Sequence, residues 1–283
     1  MKTCRTIASL RRALSAWDGK KVGLVPTMGF LHQGHLSLVR RCRRENDVTV
    51  VSIFVNPSQF GPAEDLGRYP RDPRRDAALL RSEGVDVLFM PGAAEMYPEP
   101  YRTWVDVRGL DDKLCGRSRP GHFRGVATVV LQLFHLVRPR RAYFGQKDAQ
   151  QAIVLRQMVR DLHLSVQLCV RPIVRAADGL ALSSRNVYLS AEERRAALAL
   201  PRSLQRAAAL VGSGTTASRA VRAVVREEIA REPLLTVDYI AVVRLGDLEE
   251  TDRVIAGDTL IAVALHAGKT RLIDNLLLGD LSC

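Results

Sequence analysis

The run 47–55, Asp-Val-Thr-Val-Val-Ser-Ile-Phe-Val, constrains this chain more than any other stretch. It is β-branched and apolar almost throughout, so as a strand it has no polar face to turn to water. Such a strand needs cover on both sides, the condition of a central strand in a parallel sheet. Parallel neighbours need long crossovers, normally helical and right-handed. The residues before it supply one. Val22, Leu24 and Val25 make a short apolar run that ends at Pro26-Thr27-Met28-Gly29, where Pro26 removes a backbone donor and Gly29 permits positive φ. After Gly34, Leu36, Leu38, Val39 and Cys42 recur at helical spacing with Arg40, Arg41, Arg43 and Arg44 mostly outward, completing a βαβ unit.

A helix that starts at the carboxyl end of a parallel strand presents free N–H groups and a positive dipole end, which together bind anions. His32 and His35 stand at that mouth and can donate to charge building on a phosphate. A lone His-x-Gly-His is also compatible with a metal pair; with the strand and loop before it, the pattern points to nucleotide phosphate.

The rest of the chain repeats the alternation. Residues 7–17 form an amphipathic helix. The run 47–55 ends in the polar loop 56–61, 64–75 reads as irregular, and a helix over 73–83 leads to a strand at 85–89. An edge strand is expected at 103–107, a turn-rich segment at 118–126, a helix at 127–137, a strand at 141–144, a helix at 149–162 and a strand at 166–174. This predicts a doubly wound, Rossmann-like α/β domain over residues 1–175. Beyond it, Ser190 with Glu193 makes a capping box opening an Ala-rich helix, a second helix spans 216–231, and strand-like runs follow at 236–243, 260–265 and 270–273. Residues 176–283 are therefore expected to form a smaller α+β domain.

In 283 residues no apolar run reaches the roughly 18 needed to cross a membrane. The first residues lack a signal-peptide core. Five scattered cysteines with no Cys-x-x-Cys indicate neither a disulfide framework nor a zinc site, which suits a cytoplasmic protein. The net charge of +12 is nearly all arginine, spread along the chain with only 5% aromatics. That pattern favours a solvated surface and anionic small-molecule substrates, with no nucleic acid or membrane as partner. The charge leaves a synthetase-like RNA-binding protein as the alternative from another class.

Read singly, Ser183-Ser184-Arg185 could be turn residues, Lys147 and Asp148 a helix start, and His122 a turn hydrogen bonder; Arg119 and Arg124 in their Gly/Pro-rich loop suit a carboxylate clamp. Read together, 26–35, 52–60, 144–151 and 178–186 closely resemble, in order and spacing, the pantoate–β-alanine ligase (pantothenate synthetase) family of the His-x-Gly-His nucleotidyltransferases. The likeness also takes in 119–125 and 271–275. It implies an ATP-dependent, Mg²⁺-using cytoplasmic ligase, usually a homodimer, that adenylates pantoate and passes the acyl group to β-alanine, releasing AMP and pyrophosphate. Another nucleotidyltransferase of the same fold is the nearest rival.

By position, the resemblance implies that Met28, Gly29, Phe30, Leu31, His32, Gln33, Gly34 and His35 hold ATP. His35 would be a proton donor; because no hydroxyl or amine obviously needs that proton, a phosphate-facing hydrogen-bond donor is expected instead. Gly145, Gln146, Lys147 and Asp148 would line the nucleotide, Lys147 reaching phosphate and Asp148 the ribose, with Val174 at adenine through its backbone. Leu182, Ser183, Ser184 and Arg185 would form a mobile phosphate loop carried by the second domain acting as a lid. Gln59 and Gln151, with Asn56 and His122, would bind pantoate and β-alanine. His35, His32, Lys147 and Arg185 are the expected catalytic set, and Asp76 is the candidate metal ligand. Gln146 stands where many members have Glu.

Overall fold

The computed structural model describes residues 1–62 and 64–281. The first half runs β1 (Lys2–Cys4), α1 (Ile7–Leu14), β2 (Val22–Thr27), α2 (Gln33–Glu45), β3 (Val48–Ile53), α3 (Pro73–Ser82), β4 (Val87–Phe89), α4 (Ala93–Met96) and α5 (Cys115–Ser118). It continues through α6 (His122–Val137), β5 (Arg141–Gly145), α7 (Ala149–Asp161) and β6 (Gln167–Arg171). Then come α8 (Ala191–Ala197), α9 (Ala199–Gly212), α10 (Ser218–Ala230), β7 (Leu235–Arg244), β8 (Asp258–Ala267) and β9 (Thr270–Gly279).

Strands β1 to β6 form one parallel sheet in the order β1-β4-β3-β2-β5-β6. All but the last residue of β3 is buried, as its unbroken apolar run requires. Alternate residues serve the two faces: Leu24, Val50 and Val87 join the core with Leu10 of α1 and Val126 and Val130 of α6. Val25, Val51 and Leu88 join Leu38, Val39 and Leu80 of α2 and α3 on the other. Winding reverses between β2 and β5, so the loops leaving their carboxyl ends diverge and open a crevice.

Strands β7-β8-β9 form a separate antiparallel sheet, also covered on both faces. Ile240, Val242, Ile261 and Val263 pack with Leu204, Val221 and Val225 of α9 and α10. Their neighbours Ala241, Val243, Leu260 and Ala262 belong to the same core cluster as the parallel sheet. The fold is thus α/β with a smaller α+β portion, as expected.

Several boundaries differ. No strand forms at 103–107; the sheet's edge is β1, three residues paired to β4, too short to carry a periodic signal. Helix α6 begins at His122, inside the segment read as turns, because Gly121 in the left-handed region (φ 81°) turns the chain straight into it. The capping box at Ser190 and Glu193 is present, but its helix stops at Ala197 and α9 restarts at Ala199. Pro201 has no N–H to carry the ladder across that junction. Among the described residues no helix is long and apolar enough to cross a membrane.

Candidate active site

The β2–α2 loop is built by a tight reversal. Gly29 (φ 87°) and Phe30 (φ 49°) both lie in the left-handed region, and a Cβ on Gly29 would sit 2.9 Å from the Ile53 side chain. Asp76, 1% exposed on α3, holds the turn: its two oxygens accept from the N–H groups of Phe30 at 2.7 Å and Leu31 at 2.8 Å. Burial pushes this carboxyl up, against the pull of the two amides. Asp76 does not line the crevice, and both its oxygens face the loop. The geometry is that of a clamp on the loop, with each carboxylate oxygen taken by a backbone amide.

The clamp starts α2 with its first N–H groups at the crevice. His32 is the N-cap and His35 lies one turn on, their rings 4.0 Å apart. The N–H of His32 donates to His35 Nδ1 at 3.3 Å. His35 Nδ1 is thereby an acceptor, and its proton sits on Nε2 as a donor. Burial, the neighbouring His32 and Lys147 hold the His35 pKa well below its ordinary value. Burial and Lys147 likewise lower His32 to about 4. Both imidazoles are neutral donors at neutral pH. Among the described residues His32 Nδ1 is buried with no hydrogen-bond partner.

Beside them is a neutral polar pocket. The turn Pro57–Gln59 follows β3, and Gly125 lets α6 approach it: a Cβ there would meet the Ser58 carbonyl oxygen at 2.5 Å. Gln59, 8% exposed, donates to Met28 Sδ at 3.1 Å and accepts from Asn56 Nδ2 at 3.2 Å. Asn56 also donates to the Gly125 carbonyl and accepts from Ser58 and Tyr97. These bonds hold the turn, and Asn56 also lines the smaller of the two cavities described below. His122 Nδ1 donates to the Gln59 carbonyl at 2.8 Å, while Nε2 accepts from Arg119 at 3.2 Å. Burial and Arg119 lower His122 to about 4. Arg119 is paired in turn with Glu64.

The loop after β5 closes the other wall. Lys147 and Asp148 line the crevice, 3.5 Å apart. Asn275 of β9 donates to the carbonyls of Gln146 and Lys147 and accepts from Gln146 Nε2 at 3.1 Å. Gln146 is therefore an amide partner of Asn275. Ser183 caps the short helix Ser184–Tyr188, Ser184 donates to the Phe30 carbonyl, and Arg185 forms a two-pronged pair with Asp65 at 2.8 and 2.9 Å. The Val174 carbonyl accepts from Leu182 N–H, which ties this loop to the end of β6.

Two adjoining cavities of about 230 and 550 Å³ share Arg119, His122, Lys147, Asp148, Gln151, Ser183 and Arg185. The smaller is also lined by Met28, His32, Gly34, His35, Asn56, Gln59, Gly145, Val174, Leu182 and Ser184. The chain thus brings most of the expected residues together. Gly29, Phe30, Leu31, Gln33 and Gln146 line neither cavity. Leu31 is in the core, Gln33 is exposed and meets Arg40, and Gln146 faces Asn275. Sequence reasoning gave no role to Asn275, Tyr97, Glu64 or Asp65. The buried polar pair Asp274-Asn275 interrupting a strand was the available signal for the first; nothing marked the others in an irregular charged tract.

A family model described as pantoate-beta-alanine ligase matches residues 2–277. The pantothenate synthetase of Roseiflexus castenholzii is 55% identical over 278 residues, 98% of this chain and 99% of its own. That of Acetivibrio thermocellus is 52% identical over 279 residues, with the same coverage. Among solved structures, the pantothenate synthetase of Thermus thermophilus matches with a TM-score of 0.94 at 49% identity, over 99% of this chain and 100% of that one. A pantoate-beta-alanine ligase of Francisella tularensis, described as complexed with beta-gamma ATP and beta-alanine, matches all of both chains with a TM-score of 0.82 at 33% identity.

Proposed function

The chain belongs to the pantoate-beta-alanine ligase family, and from that membership we propose how its residues divide the work. The enzyme condenses pantoate with β-alanine, converting ATP to AMP and pyrophosphate through pantoyl adenylate. In the first step a pantoate carboxylate oxygen attacks the α-phosphorus, and the bond to the β-phosphate oxygen breaks. Negative charge grows on the pyrophosphate leaving group, so positioned donors at that point lower the barrier. His35 Nε2–H, His32, Lys147 and the α2 N-terminus are assigned to this role, with Ser183, Ser184 and Arg185 on the outer phosphates. Gln59 and Gln151 hold pantoate through neutral amides, which recognise its hydroxyl and carboxylate groups and leave the carboxylate nucleophilic. In the second step the amine of β-alanine attacks the acyl carbon, AMP departs with the electron pair, and the amine proton passes to solvent. The observation that carries this reading is the meeting of three loops, 28–35, 145–148 and 183–185, in cavities that also hold Gln59 and Gln151.

Among the described residues no three His, Cys, Asp or Glu side chains converge as a metal cage. Mg²⁺ fits as an ion carried by ATP phosphates, with Asp148 the carboxylate among the residues lining the smaller cavity; bound there, it would neutralise phosphate charge. Residues 1–175 are assigned as the nucleotide- and pantoate-binding domain and 176–283 as the domain carrying the phosphate loop. Because the antiparallel sheet shares its inner face with the main core, closure is assigned to the Ser183–Arg185 segment and its neighbours, not to a swing of the whole second domain. A cytoplasmic homodimer is proposed, with the exposed ring of Trp104, stacked on Tyr97, offering an apolar surface to the second copy. The test of the assigned function is AMP formation by purified protein: it should require ATP, Mg²⁺, pantoate and β-alanine together. Release of AMP without pantoate would refute it.

A further inference from the structure

The segment 64–71, within the tract 64–75 read from sequence as irregular, straps the crevice. Asp65 faces Arg185 fork to fork, Nε to Oδ2 at 2.9 Å and Nη2 to Oδ1 at 2.8 Å, with the two side chains 11% and 24% exposed. The guanidinium also lies over the rings of Tyr69 at 5.3 Å and Phe60 at 6.0 Å. Tyr188, in the same short helix as Arg185, donates to the Arg68 carbonyl at 2.7 Å, and the Arg68 guanidinium lies over its ring. Glu64, next to Asp65, holds Arg119 of the acid pocket. Burial pushes the Asp65 carboxyl up, but its bond to Arg185 lowers it further, so it is ionised at neutral pH.

A two-pronged carboxylate occupies the donors with which a guanidinium grips a phosphate. We propose that Asp65 is a positioning residue that acts as an internal stand-in for phosphate: it keeps Arg185 aligned over the crevice and is displaced when the ATP phosphates arrive. Displacement unlatches the strap at Asp65 while Glu64 still holds the acid pocket, so nucleotide binding and the shape of the outer crevice are coupled. The resting enzyme binds ATP more weakly than its donors allow, because the phosphates must first compete with Asp65. This rests on the assignment of Arg185 to phosphate.

The test is calorimetric titration of a non-hydrolysable ATP analogue with Mg²⁺ into the whole protein and four variants. Removing one partly buried charged competitor should tighten binding by about five- to tenfold in Asp65→Asn. Arg185→Ala should weaken binding, and in its background Asp65→Asn should have no effect. Asp247→Asn removes an equal charge from the surface pair with Arg244, outside the crevice, and should leave the affinity within about twofold, since a field effect alone is screened. Unchanged or weaker binding in Asp65→Asn, or equal tightening in Asp247→Asn, overturns the stand-in while leaving the role of Arg185 intact. Unchanged affinity in Arg185→Ala overturns the phosphate assignment itself, and the inference with it. Melting temperatures of all variants within a few degrees of the parent exclude misfolding as the cause.

Discussion

Asp76 decides whether the nucleotide loop is held by a carboxylate clamp or whether that carboxylate serves a metal. Asp76→Asn keeps shape and volume but replaces one acceptor oxygen with an N–H₂ group that faces a backbone N–H. One of the two bonds at 2.7 and 2.8 Å is lost, and a buried amide is left unpaired. A hydrogen bond to a charged group contributes about 1.5–3 kcal/mol, so the variant should lose about 2 kcal/mol of stability. In a chain of this size each kcal/mol corresponds to roughly 2–4 °C, which places the fall in melting temperature at about 4–8 °C. The loop conformation, with two successive left-handed residues, should relax in proportion. ATP affinity should therefore fall at least about tenfold, the equivalent of ~1.4 kcal/mol. The assay pairs thermal unfolding without ligands with nucleotide titration across a range of Mg²⁺ concentrations. The clamp predicts a lower melting temperature in the absence of any metal, and an ATP defect that added Mg²⁺ does not rescue. An unchanged melting temperature together with a defect cured by high Mg²⁺ would refute it.

Other consequences follow from the same geometry. His35→Ala removes a neutral donor aimed at developing charge, and should lower kcat by about 10²–10³ while pantoate binding changes little; equal losses in both, by steady-state kinetics, would make His35 only a binding group. Gln59→Ala should raise the KM for pantoate about tenfold or more by leaving substrate polar groups unpaired, and an unchanged value would remove it from the acid pocket. His32 and His122 are neutral when folded, lowered from 6.5 to about 4. The unfolded chain binds the extra protons between those values, so stability is full above pH 6.5 and declines as pH falls toward 4. At about 1.4 kcal/mol per unit, His122 accounts for at most ~3.5 kcal/mol of that decline; His122→Gln should flatten the melting temperature against pH over this interval, and an unaltered slope would show that the histidine is not buried neutral.

How much was legible in advance follows from the kind of signal each part leaves. The βαβ unit announced itself because β3 has no polar face and the helix after Gly34 keeps its apolar spacing. The loops at the carboxyl ends of β2, β3 and β5 were visible as polar breaks after apolar runs, and their sequences carried the family likeness. Strand β1 left no pattern because three residues cannot show one. The full length of β9 was hidden by Asp274 and Asn275, which are buried because Arg175 neutralises the one and the Gln146–Lys147 backbone satisfies the other. Those pairings join residues about a hundred positions apart, beyond any local rule. The same holds for Asp76, whose importance to the site was suggested by the sequence but whose work depends on two amides 45 and 46 residues away. Asp65 and Glu64 were the least readable, since an acidic pair in a charged tract looks solvated until the fold brings Arg185 and Arg119 to it.

In the proposed reaction this crevice activates pantoate by adenylation before β-alanine takes part. Exchange of labelled pyrophosphate into ATP, measured with pantoate and Mg²⁺ but no β-alanine, tests it most directly. Steady exchange should appear, vanish when pantoate is omitted and fall with His35→Ala. No exchange until β-alanine is added, or exchange that proceeds without pantoate, would contradict it.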